Sequence, residues 1–140
     1  MNNKIKQIDT DRDDNDRVYS LHEIIKDNPV ISEMLNALPH IALILNSKRQ
    51  VILSNKPLLD LIGVSDFENI LGLRPGEVIR CIHAHETPGG CGSSEACRFC
   101  GALDTVLESQ KANSKVIKDS RITAVIQGNK VNLDLQISST

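Results

Sequence analysis

The chain has 140 residues, a formal net charge of −2, 40% hydrophobic residues and only 2% aromatics. That length fits one domain with a core of its own. A near-neutral balance offers no field toward phosphate or anionic lipid, and Tyr19, Phe67 and Phe99 are too few to build a base-stacking platform, so neither nucleic acid nor a membrane is an expected partner.

Residues 1–17 are dominated by Asn, Asp, Lys and Arg, with the charge run TDRDDND, and read as a solvated, mobile tail extending to about residue 19. No apolar run nears the roughly 18 residues of a membrane span, and this polar, acidic start is unlike a signal peptide. A cytoplasmic setting is therefore expected, where cysteines stay reduced. Ser20 with Glu23 has the spacing of a capping box, and Leu21, Ile24 and Ile25 follow as a helical stripe. Asn28-Pro29 opens a second helix, whose face of Ile31, Met34, Leu35 and Leu38 would pack on its own domain or on a second copy of itself. Residues 20–38 thus form a flanking helical segment, which Pro39 ends.

From residue 39 the pattern changes. HIALILN (40–46) reads as a buried strand, Ser47-Lys48-Arg49 as a turn, and 51–54 as a second strand paired with the first. Asn55 and Pro57 start a short helix that Gly63 closes. Short helical turns follow over 65–79, broken by Gly72 and Pro75-Gly76. A longer helix runs from Gly101 to about Gln110, with Leu103, Val106 and Leu107 on one face. Two strands, 116–127 and 130–139, are joined by a tight turn at Gly128-Asn129. In the last, Val131, Leu133, Leu135 and Ile137 alternate with polar residues, which predicts one buried and one wet face. The class is α+β: an antiparallel sheet with helices on one face and an N-terminal flanking helix.

Chemistry is concentrated in residues 81–100, CIHAHETPGGCGSSEACRFC, which hold every cysteine of the chain in the spacing C-x9-C-x5-C-x2-C. Two residues between Cys97 and Cys100 let both sulfurs face one centre, as in zinc knuckles and iron–sulfur loops. Gly89, Gly90 and Gly92 let the backbone turn sharply around Cys91. Cys100 precedes a helix start, where backbone N–H groups favour thiolate. Four soft ligands suit an iron–sulfur cluster or a zinc ion equally, with His83 or His85 able to replace one thiolate. Two alternatives stand beside a metal centre. One is a thiol switch using Cys97 and Cys100, or Cys81 and Cys91. In the other, the cysteines are simply small apolar packing residues. Arg98 is a candidate counter-charge for clustered thiolates. Covalent haem is disfavoured, because Gly101 stands where C-x-x-C-H needs histidine. A cysteine nucleophile with His83 or His85 as base fits the glycine-rich flanks less well than a ligand site does, so no enzymatic activity is expected.

The stretch ALPHIALILNSKRQVILSNKPLLDLIG (37–63), with the helical crossing and later hairpin that follow, resembles the opening of a PAS domain. The segment GLRPGEVIRCIHAHETPGGCGSSEACRFCGA (72–102) is similar to a cysteine-bearing insert of some PAS modules in bacterial and archaeal signalling proteins, histidine kinases among them. The likeness spans about residues 30–140 and assigns 39–140 to the PAS-like unit. A complete PAS sheet has five strands, with the last at its centre. Here Thr140 follows what reads as the fourth, so the resemblance implies either a sheet lacking its last, central strand or a strand count one too low. Cys97-Arg98-Phe99 superficially matches the flavin-binding light sensors of the family, but Ala96 replaces their Asn, and Cys100-Gly101 their Leu-Gln, so flavin is not expected. The resemblance implies a sensory input domain that reads redox state, oxygen or metal through Cys81, Cys91, Cys97 and Cys100. It further implies a homodimer, with a downstream effector such as a histidine kinase domain. The rival is an interaction module in which the cysteines hold a structural zinc.

Overall fold

The computed structural model describes residues 8–140, an α+β chain. Helix α1 (Asn15–Lys26) starts earlier than Ser20. Asp14 caps it, accepting a hydrogen bond from the Arg17 N–H at 2.9 Å, with Asp16 in the first turn and Lys26 in the last, each at the end its charge favours. Val18 and His22, four residues apart on one face, are its buried residues. The His22 ring stacks on Phe67, and its Nδ1 lies 2.7 Å from the Ile52 carbonyl oxygen.

The expected mobile tail is not free where it is described. Over residues 9–13 the backbone and side chains are fastened to the turn after the first strand and to the cysteine segment. The Asp9 and Asp11 carbonyls accept from Arg49 and Arg74, and Asp13 exchanges hydrogen bonds with Gln50. The expectation for residues 1–7 lies outside the described residues.

Helix α2 (Pro29–Ala37) is capped by Asn28, as the Asn-Pro pair predicts, but none of its residues is buried; Val30 and Met34 are more than half exposed. Strands β1 (Leu43–Leu45) and β2 (Val51–Ser54) pair antiparallel with an irregularity between Ile44 and Leu45. Asn55, fully buried, ties α2 to them. Its side chain accepts from the Ala42 N–H and donates to the Leu35 and His40 carbonyls. Helix α3 (Lys56–Ile62) ends at Gly63 with φ +71°, the left-handed conformation its position predicts. The core is Val51, Leu58, Ile70 and Val78, flanked by Leu43, Leu45, Phe67 and Leu73.

Helix α4 (Pro75–Val78) and helix α5 (Gly101–Ala112) frame the cysteine segment. Strands β3 (Val116–Ile126) and β4 (Asn129–Ser139) form the second hairpin. Its tight turn is centred one residue earlier than Gly128-Asn129. Gln127 and Gly128 both take positive φ, 48° and 81°, as a type I′ turn requires.

One sheet is not formed. The two hairpins are separate two-stranded sheets, and the apolar side of β4 is only half-buried. What joins the hairpins is the segment leading into the cysteines. Its start pairs with β2, through Val51 N–H to the Leu73 carbonyl at 2.7 Å and Gly72 N–H to the Val51 carbonyl at 2.9 Å. Its end pairs with β3 through a Cys81–Ala124 bridge, with Ile82 N–H to the Thr123 carbonyl and Val125 N–H to the Arg80 carbonyl, both 3.0 Å. No helix among the described residues is long and apolar enough to cross a membrane.

Candidate metal centre

Three pieces of backbone carry the cysteines. Cys81 follows α4 and is pinned to β3, with its own N–H donating to the Gly76 carbonyl at 2.8 Å. Cys91 sits in the glycine loop, where Gly90 and Gly92 take φ of +74° and +91°. Cys97 lies in a 3₁₀ turn, Glu95–Phe99, capped by Ser94, and Cys100 is the residue from which α5 starts. Helix α5 is pressed on β3 so closely that a Cβ on Gly101 would stand 2.3 Å from the Asp119 carbonyl oxygen. That contact sets where Cys100 lies relative to Cys81 on the neighbouring edge.

Two of the four thiols, Cys81 and Cys91, meet over α4, and Cys97 and Cys100 are near enough to act on both electrostatically. A Cβ on Gly76 would lie 2.6 Å from Cys91 Sγ and 3.5 Å from Cys81 Cβ. Burial pushes the Cys91 thiol up to about 11, opposed by a hydrogen bond from the Gly76 N–H and reinforced by Cys97, Glu77 and Cys100. Burial likewise raises Cys81, whose sulfur accepts from the His83 backbone N–H and feels Cys100 and Cys97. All four are free thiols, Cys97 buried and the others partly so. Among the described residues no three His, Cys, Asp or Glu side chains are drawn tightly enough together to grip an ion. Ligation would require the glycine loop to close on the two ends.

The histidines are not brought in. The sequence alternation suggests one face of an extended strand, but the chain turns here, with Ala84 N–H bonding the Cys81 carbonyl at 2.9 Å. His83 Nδ1 lies 2.7 Å from Glu86 Oε1, and the other Glu86 oxygen accepts from Ser94 Oγ at 2.7 Å. His85 lines an open cleft of about 580 Å³ with Arg12, Glu77 and Gly90. Arg98, the counter-charge the sequence suggests, is exposed.

Buried cations near the cysteines come from residues the sequence gives no reason to single out. Arg74 is fully buried, donating to the carbonyls of Lys48 (3.0 Å), Gly89 (3.2 Å) and Asp11 (2.8 Å). Its burial, with Arg49 and Arg12 nearby, lowers it to about 10, still a cation at neutral pH. Glu77 accepts from the Arg74 N–H at 3.1 Å, from the Cys91 N–H at 3.0 Å and from Arg12 through both oxygens. Burial alone would raise its carboxyl, but Arg12 and the two backbone donors hold it below the ordinary value. Only R-P-G-E, with Glu three residues into a Pro-started helix, hints at this arrangement in the sequence.

The donor set is soft, thiolate-forming and flanked by cations, which suits zinc or an iron–sulfur cluster. No family model, curated protein or solved structure matches the chain.

Proposed function

We propose that the chain is a PAS-like sensory module of a cytoplasmic signalling protein, with no catalytic activity of its own, in which Cys81, Cys91, Cys97 and Cys100 hold an iron–sulfur cluster or a zinc ion. The observation that carries this reading is the meeting of Cys81 and Cys91 over Gly76, with Cys97 and Cys100 near enough to act on both electrostatically, beside buried guanidiniums. Simple packing cysteines need no such arrangement. A thiol switch through Cys81 and Cys91 is disfavoured by their raised thiols, since exchange is carried by thiolate. The element order supports the PAS-like assignment: a hairpin, a helical crossing bearing the cysteines, then a second hairpin.

The test is iron, zinc and acid-labile sulfide analysis with a visible spectrum on protein purified without oxygen. Iron with sulfide and cluster absorption supports a redox or oxygen sensor, and single Cys→Ser changes then identify the ligands. Stoichiometric colourless zinc supports a structural site. Protein free of both metals sinks the metal reading.

A second reading belongs to the helices. Tyr19, Ile24, Val30, Met34, Leu38 and Ile41 are exposed apolar groups on and beside α1 and α2, which favours a module that self-associates or docks an effector such as a histidine kinase domain. Sedimentation equilibrium separates the two states. A monomer at high micromolar concentration would remove the homodimer.

A further inference from the structure

The β1–β2 turn places a charge where none is comfortable. Arg49 has φ +64° and is 5% exposed. Its Nη1 donates to the Asp9 carbonyl at 3.0 Å. Its Nη2 is buried and has no hydrogen-bond partner among the described residues. A Cβ on Gly92 would lie 3.1 Å from that Nη2, so the guanidinium stands over the backbone next to Cys91. Burial works against its charge, and Cys91 is the first group that supports it, with Asp9 and Cys97 also contributing.

A guanidinium only donates, so the partner Nη2 lacks must be an acceptor or an anion. The neighbouring donors are already used: Arg74 on three carbonyls, Arg12 on Glu77 and the Gly89 carbonyl. Asp9 is matched by Lys48 at 2.8 Å. Arg12, Arg49 and Arg74 against the single carboxylate of Glu77 leave two positive charges beside the cysteines. Four thiolates around a zinc ion carry two negative charges, as they do around an oxidised iron–sulfur cluster.

We propose that Arg49 is the positioning residue of the metal centre: Nη2 donates a charge-assisted hydrogen bond to a sulfur of the bound centre, and the buried guanidiniums make the site select a centre that is anionic overall. The inference rests on the metal reading and extends it to a residue outside the cysteine segment.

Cobalt(II) is the probe, titrated anaerobically into the metal-free full chain and read by thiolate-to-cobalt charge-transfer absorption. Wild type is compared with Arg49→Gln and Arg49→Lys, with thermal unfolding of each metal-free protein. Arg49→Gln should bind cobalt at least tenfold more weakly, while its metal-free unfolding midpoint is no lower than wild type, because it discards a buried, unmatched charge. Arg49→Lys, which keeps the charge, should bind more tightly than Arg49→Gln. Equal cobalt affinity in Arg49→Gln and wild type overturns the proposal and leaves the metal reading intact. So does a loss of metal-free stability that parallels the loss of binding, including failure to fold, or a lysine variant as weak as glutamine. Absence of thiolate bands in wild type overturns the metal reading, and this inference with it.

Discussion

Gly76→Ala tests whether Cys91 Sγ lies where the site needs it. The new Cβ would stand 2.6 Å from Cys91 Sγ and 3.3 Å from Cys91 Cβ, where non-bonded heavy atoms settle at about 3.5–4.0 Å. The gap must open by about 1 Å. Helix α4 cannot supply that movement cheaply. It is held by the buried side chains of Arg74 and Val78 and by the pairing of Gly72 and Leu73 with β2. The yielding partner is Cys91, between two glycines. Overpacking costs about 1–3 kcal/mol, against a helix-propensity gain of at most about 1 kcal/mol for replacing glycine. Metal-free stability should therefore fall by about 0–3 kcal/mol, several degrees in melting temperature at most. Metal binding should suffer far more, because metal–ligand distances tolerate only about 0.2 Å. Ligation needs the glycine loop to close, and a Cβ that holds Cys91 about 1 Å off α4 should block that closure, so the loss should exceed the roughly 10–100-fold typical of supporting residues. Cobalt or zinc titration with chelator competition, beside a thermal melt, measures both quantities. Wild-type metal affinity in Gly76→Ala would refute the placement of Cys91 in the ligand set.

Glu77→Gln probes the hub beside the thiols. Because the folded carboxyl is held below its ordinary value of 4.5, its contribution is fully present above that pH and disappears as pH falls through the folded value. Denaturant melts should show the variant about 1–3 kcal/mol less stable at neutral pH, allowing for the partial exposure of Arg12, with the difference shrinking below about pH 4.5; a difference that is flat with pH would contradict the pairing. Cys91, at about 11, should react with iodoacetamide in the metal-free protein at a rate that still climbs between about pH 9 and 11; mass-spectrometric rates levelling off near pH 8.5 would count against its burial. Gly101→Ala would drive a Cβ into the Asp119 carbonyl and should cost about 2–4 kcal/mol by pushing α5 off β3; an unchanged unfolding midpoint would mean that the helix is not seated there.

Local signals were legible wherever one or two residues decide the backbone. Asn28-Pro29, Gly63 and Gly128 each dictate a cap or a turn by sterics or a single hydrogen bond, and each stands within a residue of its predicted place. The start of α1 was hidden because Asp14 sits inside a charge run, and nothing local separates a capping aspartate from its solvated neighbours. The buried arginines were hidden for a different reason. Arginine is ordinarily a surface residue, and the acceptors that satisfy Arg74 are backbone carbonyls 26, 15 and 63 residues away in the chain. The pairing of the His83 and His85 alternation with a strand failed because period-two reasoning applies only to extended backbone, and this segment is a turn. The cysteine spacing identified the candidate site, but not the cations that surround it.

Those cations also change how a signal would leave the site. A PAS-like sensor would be expected to pass strain from the cysteines through the sheet. The hydrogen bonds offer a shorter path, because Glu77 binds the Cys91 N–H on one side and Arg12 on the other. Arg12 lies two residues before Asp14, the cap of α1. On the proposed metal reading, movement of Cys91 would load the Cys91–Glu77 bond first, and Glu77 is gripped by Arg12 and the Arg74 N–H as well. The residues before α1 are fastened to the same cluster through Asp9, Asp11 and Asp13. A change at the glycine loop thus reaches the start of α1 through polar contacts alone, without repacking Val51, Leu58, Ile70 or Val78. Polar contacts with about one-third exposure, such as Arg12, rearrange at far lower cost than a close-packed core, which makes the strap over residues 9–14 the softer link between the cysteines and the exposed face of α1.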